Sequence, residues 1–176
     1  INTGFGPLCT TQISKKETST LQKNLLMSHA VGLGNPISTE LAKLMMILKV
    51  HALAKGFSGV KEETIDRIIH HIDNDIIPLV PEQGSVGASG DLAPLAHLFL
   101  PLIGLGKVNV NDKFIPTEEW LQKERLSPIQ LGAKEGLGLI NGTQFIAAHA
   151  VSVVERLQNV LTHADISGAM MVEGLL

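Results

Sequence analysis

The sequence predicts a mainly α-helical chain with one short β-hairpin. Two observations carry that reading. Apolar residues recur at helical spacing through most of the 176 residues, between capping side chains and Gly or Pro stops. Only KVNVNDKFIP, Lys107–Pro116, reads as a pair of strands. No internal repeat or low-complexity linker divides the chain, and its length suits roughly one domain.

The glycine-rich opening, INTGFGP, is expected to be an ordered loop. A helix is expected from about Thr18, ending before Gly32, Gly34 and Pro36. Ser38 then caps STELAKLMMILKVHALAKG, a helix apolar on nearly every face and therefore expected to be buried. In KEETIDRIIHHIDNDI, Ile65, Ile68, Ile69, Ile72 and Ile76 form one stripe, with charges opposite. A Pro- and Gly-rich connection, IIPLVPEQGSVGASG, leads to Asp91, which is placed to cap the apolar helix LAPLAHLFLPLIG. The hairpin turns at Asn111-Asp112, and Thr117 is expected to cap a short EEWLQKERL helix. A final helical region from about Lys134 to His163 is expected to break near Asn141-Gly142.

Apolar residues make up 44% of the chain, which excludes disorder. A net charge of −3 without a basic block argues against nucleic acid or an anionic membrane as partner. The apolar runs are interrupted by Gly, Pro, His or Lys short of the roughly 20 residues that span a bilayer. The single cysteine, Cys9, fits a reducing, cytoplasmic setting and lacks a basic neighbour that would activate it.

Several residues invite chemistry. His70 and His71, near Asp73 and Asp75, fall off the isoleucine stripe and read as a solvated face, and no metal site with zinc-like spacing is found. His97 and His149 read as hydrogen-bonded core imidazoles. Ser28 and His29 interrupt a helical face shared with Leu21 and Leu25. Buried polar groups need partners, and here the partner is either another side chain or a ligand.

The stretch GSVGASGDLAPLAHL, Gly84–Leu98, matches neither a P-loop, lacking Gly-Lys-Ser/Thr, nor a G-x-S-x-G nucleophile elbow. A third chemistry uses Ala88-Ser89-Gly90 as it stands. The Gly90 nitrogen can attack the Ala88 carbonyl carbon in a sufficiently tight turn. Loss of water closes a five-membered ring, and loss of a second water from Ser89 leaves an exocyclic methylidene. The tripeptide alone is too short to decide this.

The same stretch closely resembles the signature of the aromatic amino acid ammonia-lyases, which form a 4-methylidene-imidazol-5-one (MIO) group from Ala-Ser-Gly. INTGFGP resembles their N-terminal mobile loop, LQKNLLMSHAVGLG their substrate-pocket helix and GLGLINGTQ their asparagine motif. The four blocks stand in family order. The resemblance implies that Ala88, Ser89 and Gly90 are the MIO precursor, that Asp91 assists its formation and that Asn141 lies near it. Ser28-His29 occupies the pair of positions where histidine-specific members carry Ser-His, phenylalanine enzymes Phe-Leu and tyrosine enzymes His-Leu. It therefore implies an imidazole substrate, L-histidine, eliminated to trans-urocanate and ammonia, with His29 binding the ring. No external cofactor is implied.

Residues 1–176 are expected to be part of the N-terminal, MIO-bearing domain. The family's tyrosine upstream of Ile1, its C-terminal helical bundle and its homotetrameric assembly are implied but not contained in the sequence, so the isolated chain is expected to be inactive. The alternatives are a phenylalanine or tyrosine ammonia-lyase, an aminomutase, or a helical assembly module without catalysis.

Overall fold

The computed structural model describes residues 3–4, 10–87 and 90–175. Helices dominate, as expected. Helix α1, Lys15–His29, begins earlier than Thr18 because Ser14 and Glu17 form a capping box. The Ser14 hydroxyl accepts the Glu17 N–H at 3.3 Å, and the Glu17 carboxylate accepts the Ser14 N–H. Most of INTGFGP lies outside the described residues, although Thr3 bridges to Gln12.

Helix α2, Thr39–Leu53, is capped by Ser38 as the sequence indicates. It is not buried all round. Ala42, Met45, Met46, Lys49 and Leu53 form its buried side, while Ile47 and Ala52 are exposed. Lys49, a residue expected at the surface of most proteins, therefore sits inside the core.

Helix α3, Glu62–Asp73, packs Ile68 inward, but Ile69 is exposed. His71 corrects the reading of a solvated histidine pair. It is 2% exposed, whereas His70 is exposed. The reason is tertiary: Trp120 of α5, Thr117–Lys123, covers that face, with the two rings edge-on at 4.9 Å.

The connection read as irregular contains short strands. β1, Leu33–Pro36, pairs antiparallel with β3, Pro81–Gln83. β2, Ile77–Pro78, adds an edge to the expected hairpin of β4, Lys107–Val110, and β5, Lys113–Pro116. The hairpin turns where expected, with Asn111 and Asp112 both at positive φ. Thr117 does not cap α5: Pro116 holds the cap position, and the Thr117 hydroxyl is buried without a partner among the described residues.

Helix α4, Leu92–Phe99, continues into a 3-10 turn, Leu100–Ile103, and runs through the centre of the molecule. Leu95, Leu98 and Phe99 pack with Leu26, Met45, Met46 and Leu139. Each such fully buried side chain contributes roughly 1.5–3 kcal/mol. A satellite cluster joins Ile76, Val108, Trp120 and Leu121 under the three-stranded sheet.

The last helical region breaks at residues 141–143, as expected, into α6, Glu135–Ile140, and α7, Gln144–Gly174. Helix α7 runs well past His163. It exposes Val153, Leu157, Val160, Leu161 and Met170, and only Ala148 is fully buried. By length and composition alone the Glu135–Gly174 segment is apolar enough to cross a membrane. That differs from the reading that every apolar run is too short, because no Asp, Glu, Lys or Arg falls between Glu135 and Glu155.

Candidate active site

The glycine-rich loop enters α4 at Asp91, which is fully buried. Asp91 occupies the N-cap position of α4 but makes no side-chain cap bond to it. Its carboxylate is used elsewhere. Oδ1 accepts the Ser85 hydroxyl at 2.7 Å, and Oδ2 accepts the Ile146 backbone N–H at 3.0 Å. Ile146 lies in the first turn of α7, whose own cap residue, Thr143, contributes no side-chain bond. Asp91 thus satisfies an open N–H of a different helix and sets a negative charge at that helix's positive end.

The backbone repeats the connection. The Asp91 N–H donates to the Gly142 carbonyl at 2.7 Å. Gly90, at φ +106, lies so close to that carbonyl that an added Cβ would sit 2.4 Å from its oxygen. Only glycine fits this contact. Next to it, the Asn141 N–H closes α6 on Leu137, and the Asn141 carbonyl accepts the Lys49 ammonium at 2.8 Å. The Asn141 residue itself is exposed.

On the other side of the loop, a cleft of about 220 Å³ is lined by Ser28, His29, Val31, Gly90, Leu92 and Ala93, among others. His29 is the last residue of α1, and its Nδ1 lies 2.8 Å from the Leu25 carbonyl. A carbonyl can only accept, so Nδ1 carries a proton, and in the neutral form of the ring Nε2 is the acceptor. Ser28 Oγ also reaches the Leu25 carbonyl, at 3.2 Å.

Two contacts fasten the His29 segment to the glycine loop. The Gly32 N–H donates to His97 Nε2 at 2.9 Å, and β1 pairs with β3 directly before Gly84. Burial holds the His97 imidazole below the usual histidine range, consistent with a neutral acceptor. His149 is half-buried on the Phe145 carbonyl, outside the cleft.

The structure therefore brings Ser28, His29 and Gly90 to one cleft, and sets Asp91 and Gly142 in contact with each other beside Gly90. Asn141 does not line the cleft among the described residues. Ala88 and Ser89 lie outside the described residues. Sequence reasoning missed Ser85, Lys49 and Ile146, whose partners stand 6, 92 and 55 positions away. No cluster of His, Cys, Asp or Glu that could hold a metal occurs among the described residues. A larger polar cleft, beside Lys43, Asp75 and Asp112, is separate from these groups.

The sequence profile of the aromatic amino acid lyases matches residues 1–176. The chain belongs to the aromatic amino acid lyase family. It is similar to histidine ammonia-lyase of Stigmatella aurantiaca, with 46% identity over all 176 residues and 34% of that protein's length. A second relative, histidine ammonia-lyase of Symbiobacterium thermophilum, is 47% identical over 99% of the chain and 34% of its own length. Among solved structures, Trypanosoma cruzi histidine ammonia-lyase matches with a TM-score of 0.81 and 40% identity, over 91% of this chain and 30% of that one. A mutant tyrosine aminomutase matches at TM-score 0.81 and 34% identity, over 90% of this chain and 30% of its own. The lyase chain thus spans about a third of the length of the relatives it matches.

Proposed function

We propose that this chain is the electrophile-bearing part of a histidine ammonia-lyase, which eliminates ammonia from L-histidine to give trans-urocanate. The observation that carries the proposal is the shared cleft of Ser28, His29 and Gly90. It would hold a substrate ring beside the backbone segment that forms the electrophile.

The residues present fit a self-formed MIO group. Gly90 sits where any side chain would collide with the Gly142 carbonyl, and Asp91 is bonded on both carboxylate oxygens. Ring closure joins the Gly90 nitrogen to the Ala88 carbonyl carbon. One water leaves with the Ala88 oxygen and the amide hydrogens of Ser89 and Gly90. A second leaves with the Ser89 hydroxyl and α-hydrogen. The finished group supplies an electron sink that helps ammonium depart. Asp91 would hold the loop, α4 and α7 in one arrangement during closure, and the Asn141-Gly142 turn would support Gly90 from below. His29 would accept the substrate imidazole N–H through Nε2, a contact an apolar ring cannot return.

Homotetrameric assembly belongs to the same reading, supported by the long apolar surface that α7 leaves exposed. A cytoplasmic location does too, supported by the single cysteine.

Intact and peptide-level mass spectrometry of the intact protein tests the chemistry. Loss of two waters confined to Ala88-Ser89-Gly90 is expected, and an unmodified Ser89 would reduce the chain to a non-catalytic helical module. His29→Leu tests the substrate. A fall in kcat/KM for histidine of about tenfold or more is expected from the lost buried hydrogen bond. Unchanged histidine kinetics would remove His29 from the substrate contact, and absence of histidine turnover in the wild type would favour a phenylalanine or tyrosine enzyme or an aminomutase.

A further inference from the structure

Lys49 is 2% exposed, on the buried side of α2. No carboxylate stands within salt-bridge distance of it among the described residues, where the ion pairs are Lys43–Asp75 and Lys61–Glu135. Its hydrogen bond is to the backbone carbonyl of Asn141, at 2.8 Å. A buried ammonium without a counter-ion is costly to keep, and an apolar side chain of similar volume is often tolerated or stabilising in such a place. The fold alone therefore gives little reason for a lysine here. Burial draws its pKa down to about 8, so keeping the charge works against the ordinary preference of the core.

The acceptor gives the reason. The Asn141 carbonyl belongs to the peptide that joins Asn141 to Gly142. The following carbonyl, that of Gly142, receives the Asp91 N–H and abuts Gly90. The donor on α2 fixes one peptide plane, which leaves only the φ and ψ of Gly142 between it and the carbonyl that receives the Asp91 N–H and abuts Gly90. Helical bonds reach this turn only at its two ends, from the Asn141 N–H to Leu137 and from the Ala147 N–H to Thr143, while the Asn141 and Gly142 carbonyls are bonded by Lys49 and Asp91.

We propose that Lys49 is a positioning residue for MIO formation and turnover: its hydrogen bond to the Asn141 carbonyl orients the Asn141-Gly142 turn against Gly90 and Asp91. This rests on the reading of Ala88-Ser89-Gly90 as the electrophile precursor, and the experiment separates the two. The intact protein and its Lys49→Met variant are compared for two-water loss at residues 88–90, kcat and KM for histidine, and thermal midpoint. Methionine keeps the volume and removes the donor.

The expected result is a folded variant with a near-normal midpoint and KM. Its closed-ring fraction, or its kcat per closed ring, should fall about tenfold, as a lost buried charge-assisted bond implies. A change of less than about threefold in both quantities, a spread within the ordinary scatter of such contributions, overturns the proposal. So does a loss that merely tracks the folded fraction. Should Lys49→Met not fold, Lys49→Gln, shorter and uncharged, is read per folded site against the same threshold. An unmodified tripeptide in the wild-type protein would instead overturn the underlying reading. A modified wild type beside an equally modified and active Lys49 variant overturns the Lys49 proposal alone.

Discussion

Acid should destabilise this domain through His71 before it titrates the carboxylates. The His71 imidazole is buried against Trp120, and its Nε2 has no hydrogen-bond partner among the described residues. Burial, followed by the charges of Arg67 and then His70, pushes its pKa from 6.5 down to about 3. A histidine depressed in the folded state contributes stability that is full above its unfolded pKa and is lost as pH falls toward the folded value. The unfolded chain binds the proton first, so stability declines by ~1.36 kcal/mol per pH unit between about 6.5 and 3. At pH 5 the loss attributable to this one group is about 2 kcal/mol. The assay is a denaturant or thermal midpoint series from pH 8 to pH 4 on the wild type and on His71→Phe. Phenylalanine keeps an aromatic ring against Trp120 and removes the titrating group. The variant's midpoint should lose less than the wild type's as pH falls, with the difference opening below about pH 6.5. Parallel curves would refute the reasoning, because they would mean that the imidazole is protonated in place or reaches water.

Substitutions at two further positions test contacts at the candidate site and in the helix packing. Asp91→Ala leaves the Ile146 N–H and the Ser85 hydroxyl without their acceptor and should cost about 3 kcal/mol or more, read as a denaturant midpoint, together with two-water loss at residues 88–90. Asp91→Asn, which keeps one acceptor oxygen, should fall between. Gly136→Ala sets two effects against each other. Helix propensity favours alanine by about 1 kcal/mol, but its Cβ would stand 2.8 Å from the Gln22 backbone oxygen, at the close approach of α1 to α6. Overpacking against backbone costs about 1–3 kcal/mol, so a net fall in melting temperature is expected, and a rise would show that the two helices separate freely.

The elements were legible where the code is local. Ser38 and its partner Leu41 are three residues apart, and the Asn111-Asp112 turn needs only two residues tolerant of positive φ. The paired strands β1 and β3 were not legible. Their residues, Leu33–Pro36 and Pro81–Gln83, carry the Gly and Pro that ordinarily argue against a strand, and they pair across more than one intervening helix. His71 fails for a related reason. Periodicity correctly puts it off the isoleucine stripe, yet a second element, carrying Trp120, buries that other face.

At the site the same distinction separates position from role. Local rules put Asp91 at the head of α4, and that is where it stands. They assign it the wrong bond, because a cap is inferred from the residues that follow it, whereas the Asp91 carboxylate serves a helix that begins 53 positions later, at Gln144. Lys49 is likewise found on a helix that periodicity identified, with an acceptor that periodicity cannot see. Lys49 bonds the break between α6 and α7 at the Asn141 carbonyl, and the Asp91 carboxylate bonds the first turn of α7 just beyond that break. A scaffold needing only stability could fill those positions with apolar side chains and a local cap. Two buried ionisable side chains bonded at and just beyond one turn, which itself abuts a glycine whose position admits no side chain, fit a demand on the placement of Gly90 better than a demand for stability alone.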